Sequence, residues 1–235
     1  MTIRNLCLAG AAALAVGMAA DDARALGVGP TDPGFIATFN EQDNLLATLT
    51  FSLQNKVGNV WTFAIEVANQ SIIEGDLTKR ITSFGFGLDP TATAVNLKDN
   101  DDGLWNGAVI GTVRGNNPNP GLFGAGYQHF AIDTCVFDGP TCEGGGDGVK
   151  GGQTSNLVLE ITSDAESLFF TDVATRWQSI DLGPDPDKPG KNITSIVIGG
   201  DIAPIPLPPV GFMLLGALGA LAFAARRRPV EKAAA

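Results

Sequence analysis

The side chains able to do chemistry are few and scattered. A nucleophilic triad needs a base held against a Ser or Cys, and the chain has one histidine, His129. His129 falls on the polar side of an alternating stretch, 128–132, and reads as a solvated strand residue rather than a base. No Gly-x-Ser-x-Gly elbow occurs. Zinc asks for several His or Cys ligands, and near Cys135 and Cys142 there is no further Cys or His to complete a set. Asp99-Asn-Asp-Asp-Gly103 gathers hard oxygens of the kind calcium takes. Asp99, Asp101 and Asp102 therefore form either a loop calcium site or an acidic turn. The glycine comes one place early for an EF-hand, and no Glu closes the loop at its twelfth position. Apart from that calcium, no cofactor is expected. Paired carboxylates for glycoside hydrolysis cannot be chosen from so many acids without a fold. The reading is a non-enzymatic chain.

Three tryptophans are candidates for stacking on a sugar. Trp61 fits an inward pattern and is expected in the core. Trp177 follows Arg176, so a core position near a strand end competes with a cation–π pair. Trp105 lies in Leu104-Trp-Asn-Gly107, within an unpatterned stretch. It is the tryptophan expected at the surface and the proposed glycan contact.

The elements that must position these residues read as strands. Leu49, Phe51 and Leu53 alternate with Thr48, Thr50 and Ser52. The same period of two runs through Trp61, Phe63, Ile65 and Val67, through Phe84, Phe86 and Leu88, and through Leu157, Leu159 and Ile161. Further strand-like runs lie at 128–132, 168–170 and 193–198. Such alternation buries one face and wets the other. Residues 55–59, 99–103, 115–121 and 138–142 carry turn chemistry. Several short strands at this spacing predict an all-β fold, a single antiparallel β-sandwich or jelly-roll-like ectodomain over 26–203. Residues 89–126 read as a long irregular loop, and 181–190 as an acidic, proline-rich loop within the domain.

Both ends read as targeting segments. Arg4, an apolar run at 6–20 and the small-x-small site Ala23-Arg-Ala25 make residues 1–25 a cleavable signal peptide. Its removal takes Cys7 and leaves Cys135 and Cys142 as an even pair, read as a disulfide of an exported chain. Between 26 and 203 there are nine basic and 22 acidic residues, a net charge of −13. Such a surface repels phosphate backbones, so no nucleic-acid partner is expected.

The carboxyl end carries Ala203-Pro-Ile-Pro-Leu-Pro-Pro209, an uncharged run at 210–225, and Arg226-Arg227-Arg228. The prolines favour an extended stalk. The 16 apolar residues span about 24 Å as a helix, slightly short of the roughly 30 Å hydrocarbon core, a gap that snorkelling arginines and local thinning can close. The arginines stay on the cytoplasmic side. The expected precursor is anchored in the inner membrane with its domain outside.

This order of parts resembles the PEP-CTERM class of bacterial sorting tails, and more narrowly its VPLPA-CTERM variant, over residues 204–228. The matching residues are Ile205, Pro206, Leu207, Pro208 and Pro209, the Gly/Leu/Ala helix, and the stop Arg226, Arg227 and Arg228. Ile205 stands where the variant has Val, and Pro209 where it has Ala. The resemblance implies a Gram-negative exported protein cut near the proline motif by an exosortase, a membrane protease/transpeptidase. It would then be released to the cell surface or an exopolysaccharide matrix. Residues 130–178 also resemble a loosely defined ectodomain joined to such tails, through Cys135, Cys142-Glu-Gly-Gly-Gly146, Gly151-Gly-Gln-Thr-Ser155 and Arg176-Trp-Gln178. That second likeness implies no activity. Three functions stay open: a surface or matrix protein of unspecified ligand, a carbohydrate- or exopolysaccharide-binding module, and an extracellular hydrolase.

Overall fold

Among the described residues, the period of two in the sequence becomes twelve strands, and every one of their ladders is antiparallel. The computed structural model describes residues 25–41, 44–73, 75, 77–100, 102–111, 129–186 and 188–205. The expected signal peptide up to residue 24, Asp101, and everything from Pro206 onward lie outside the described residues. That includes the membrane helix and arginine stop. Among the described residues, no helix is long and apolar enough to cross a membrane.

The strands are β1 (Leu26–Val28), β2 (Gly34–Glu41), β3 (Leu45–Val57), β4 (Val60–Asn69), β5 (Arg80–Asp89) and β6 (Ala94–Asn100). They continue as β7 (Gly107–Ile110), β8 (Thr134–Phe137), β9 (Thr154–Thr162), β10 (Leu168–Gln178), β11 (Ser195–Gly199) and β12 (Asp201–Pro204). One six-stranded sheet runs β1-β10-β5-β8-β7, with β11 also on β10; the other runs β12-β2-β3-β4-β9-β6. The chain is an all-β sandwich.

Phenylalanines from both sheets meet in the middle. Phe35 stacks on Phe51 with ring centroids 4.4 Å apart, and Phe170 of the facing sheet sits 4.4 Å from Phe35. Phe86 reaches both Phe51 and Phe170 at 5.5 Å. Offset and edge-on pairs of this kind stabilise by about 0.5–1.5 kcal/mol each beyond simple burial. Trp61 and Trp177 are fully buried in the same core, so Trp177 takes the core position. Its indole donates to Thr175 Oγ1 at 2.9 Å.

Three expectations change. Residues 89–126 are not a continuous loop, because β6 and β7 fall inside them. β6 is an edge strand with only Val95 and Leu97 packed against the core, which leaves its apolar pattern faint. The strand expected at 128–132 lies instead at Thr134–Phe137. Phe130 and Ile132 look alternating because both feed a small apolar cluster from irregular backbone. His129 is exposed beside them. Third, the fold runs past 203. Pro204 pairs with Phe35 at the end of β12, and the Ile205 N–H still donates to Gly34 O at 3.3 Å. Bonded and non-bonded pairs alternate in such a ladder. Pro204 therefore occupies a non-bonded pair, where its missing N–H costs nothing.

Two glycines carry the crossing between sheets. β11 belongs to one sheet and β12 to the other, with Gly200 alone between them. A Cβ on Gly199 would meet the Phe130 ring at 2.6 Å, and one on Gly200 would meet Phe39 at 2.6 Å.

Candidate functional site

The disulfide organises the outer face of the first sheet. Cys135 on β8 joins Cys142, with Cα atoms 6.2 Å apart, inside the normal range for the bond. Along β8, Val136 points into the main core while Cys135 points outward. Cys135, Cys142, Ile132 and Ala174 form a second buried cluster there, edged by Val109, Phe130, Phe137 and Val197. The loop after β8 therefore lies over the sheet, and all but the two end residues of β5 are buried. Ser83 Oγ donates to Cys142 O at 2.7 Å, and Gln178 Nε2 donates to Glu143 O at 2.9 Å. Asp138 turns the loop back, accepting from the Asp147 and Gly148 N–H groups at 2.9 and 2.8 Å.

Sequence reasoning missed two carboxylates that hold backbone amides, one buried and one half-buried. Asp133, fully buried, accepts from the Leu88 N–H at 3.2 Å and from Thr134 Oγ1 at 3.2 Å. Asp172 accepts from the Ala131 N–H at 2.9 Å. Asp133 thus satisfies an amide of β5 and Asp172 one in the segment before β8, as a buried backbone requires. Asp133 shows in the sequence only as an acid beside a strand start, and Asp172 lies within β10.

Trp105 does not face solvent. It is 2 % exposed, packs edge-on to Phe84 at 5.3 Å, and donates from Nε1 to Ser155 Oγ at 2.8 Å. The glycan-contact role expected for Trp105 is withdrawn, because a ring enclosed between two sheets offers no face to a sugar. The chain crosses from β6 to β7 here, and the crossing needs a large plug.

The acidic run divides. Asp99 lies on β6 and accepts from the Asn100 N–H at 2.8 Å, while Asp102 Oδ1 accepts from the Leu104 N–H at 3.1 Å. Asp102 thus forms an Asx turn. Among the described residues, no group of three or more His, Cys, Asp or Glu side chains is placed to hold a metal. Of the sorting motif, Ile205 is described and Pro206 to Pro209 lie outside.

Two open depressions mark the outer faces. One, of about 390 Å³ on the second sheet, is lined by Thr50, Ser52, Gln54, Glu66, Asp99 and Asn156 among others, and has no aromatic wall. The other, of about 440 Å³, lies beside β11 against Arg176.

No protein-family model, no curated protein and no solved structure matches this chain.

Proposed function

We propose that the chain is an exported protein of the cell surface or extracellular matrix, whose carboxyl tail is a sorting and processing signal of the PEP-CTERM type. The observation that carries this reading is how near the described strands run to the proline motif in sequence. Among the described residues the β12–β2 pairing carries on to the Ile205 N–H, which donates to Gly34 O, and Pro206-Leu-Pro-Pro209 follows at once in the sequence. The Cys135–Cys142 disulfide supports passage through an oxidising compartment. The exosortase-type enzyme is the partner this reading requires. The role of the domain is non-enzymatic.

Two epitopes test it, one inserted at Gly152 in the turn before β9 and one after Ala235, in a host with an exosortase-type enzyme. The expected result is an extracellular or surface species that keeps the first epitope and has lost the second. A mature surface species that retains Arg226–Arg228 overturns processing. A full-length cytosolic chain overturns export altogether.

A further inference from the structure

The second depression gathers cations in an acidic domain. Of the nine Lys and Arg residues between 26 and 203, Arg176, Lys188 and Lys191 line this one site. Asp185 also lines it and pairs with Lys188 at 3.6 Å. The lysine side chain remains 69 % exposed, and an ammonium has three protons to donate. Arg176 and Lys191 have no ion-pair partner among the described residues. The Nε of Arg176 is buried and meets no hydrogen-bond acceptor there. A buried donor without a partner is costly, and Arg176 itself lines the depression.

The walls are ordered by the fold. Arg176 stands on the outer face of β10, between Ser83 of β5 and Val197 of β11. The loop carrying the lysines is zipped by its own backbone. Leu182 N–H bonds Ile193 O at 3.2 Å, Ile193 N–H bonds Gly183 O at 2.9 Å, and Asp185 N–H bonds Lys191 O at 2.8 Å. Asn192 Nδ2 ties back to Asp181 Oδ1 at 2.8 Å. Thr194 and Ser195 add hydroxyls, and Ile193, Ile196 and Val197 add apolar wall.

We propose that this depression binds the anionic group of an acidic sugar, the carboxylate of a uronate or the phosphate of a phosphorylated glycan. A planar guanidinium fork matches either group, and the lysines add point charge. The hydroxyls fit a ligand that is itself rich in hydroxyls. The volume lies in the roughly 300–1,000 Å³ range of small-molecule sites. With the rest of the surface strongly negative, local positive charge selects for one anionic group held in the pocket rather than for a long polyanion spread over the domain. The site is independent of tail processing, so each idea can fail alone.

The test titrates the full-length chain, purified in detergent, with glucuronate, with glucose 6-phosphate and with neutral glucose, by calorimetry. At least one anion is expected to bind, more weakly as salt rises, and glucose is not. Arg176→Gln should weaken binding by about tenfold or more, the scale of a lost charged hydrogen bond. Lys191→Gln, at an exposed position, should weaken it several-fold with the fold intact. Lys98→Gln, on the other sheet, should leave it unchanged. Preference for glucuronate assigns a uronate ligand, and preference for the phosphate assigns a phosphorylated one. The proposal is overturned if neither anion binds better than glucose, or if Lys191→Gln and a folded Arg176→Gln or Arg176→Lys bind as the parent does.

Discussion

The indole of Trp105 and the hydroxyl of Ser155 form a 2.8 Å hydrogen bond between the two sheets, tying the β6–β7 crossing to the start of β9. Trp105→Ala should destabilise the chain by about 3–5 kcal/mol, the cost of deleting a buried aromatic. Ser155→Ala should cost about 1–3 kcal/mol, because it leaves the buried Nε1 unpaired. Urea unfolding of the two variants measures both. A loss in Trp105→Ala below about 1 kcal/mol would remove this residue from the core.

Reduction of Cys135–Cys142 should cost about 2–3 kcal/mol, the loop-closure scale for so short a segment. Asp138→Ala frees the Asp147 and Gly148 N–H groups and should cost a further 1–3 kcal/mol or so when made alone. Both changes loosen one loop, so their sum should exceed the effect of the combined variant. Thermal unfolding with and without reductant reads this; strict additivity would show that the two contacts act separately.

Gly34 has φ of 115°, and a Cβ there would run into the carbonyl of Phe51. Gly34→Ala should destabilise by more than the roughly 1–3 kcal/mol of an unfavourable backbone conformation. It should also speed proteolysis at Ile205, whose N–H is held by Gly34 O. Gly152 also has positive φ, 77°, but open space around it. Gly152→Asn should stay within about 1 kcal/mol of the parent, since Asn tolerates that region. Equal effects at the two sites would refute the steric account.

Asn69 is a buried amide that donates to Lys79 O at 2.6 Å and Val149 O at 2.8 Å, while its Oδ1 accepts from Ser71 N–H at 3.1 Å. Asn69→Leu strands these groups and should cost at least about 2 kcal/mol. Amide exchange at Ser71 should accelerate in parallel; unchanged exchange there would mean the amide is replaceable.

Legibility in the sequence followed burial. β3, β4 and β9 each bury one face, so Phe51, Phe63 and Leu159 announced them through period two. β5 was legible too, although the disulfide loop covers its second face, because glycines separate Phe84, Phe86 and Leu88. β6 and β7 escaped notice, since an edge strand needs little apolar content and a four-residue strand shows no period. The turn at Gly58-Asn59 was placed within an expected 55–59 loop, but β3 continues to Val57. With φ positive at Gly58 and not at Asn59, the turn follows the II′ pattern. Trp105 was misread because no local pattern tells a plug between sheets from a ring on a loop. The basic depression was invisible for a different reason. Arg176 and Lys191 stand far apart in the chain, and only the β10–β11 pairing brings them to one wall.

The single-residue bridge at Gly200 has a mechanical consequence. A pull directed along β12 loads its four paired positions with β2 together, in shear. Through Gly199 and Gly200 the same tension reaches β11 and its five paired positions on β10. Load entering at the carboxyl end is thus divided between both layers, instead of peeling away one edge.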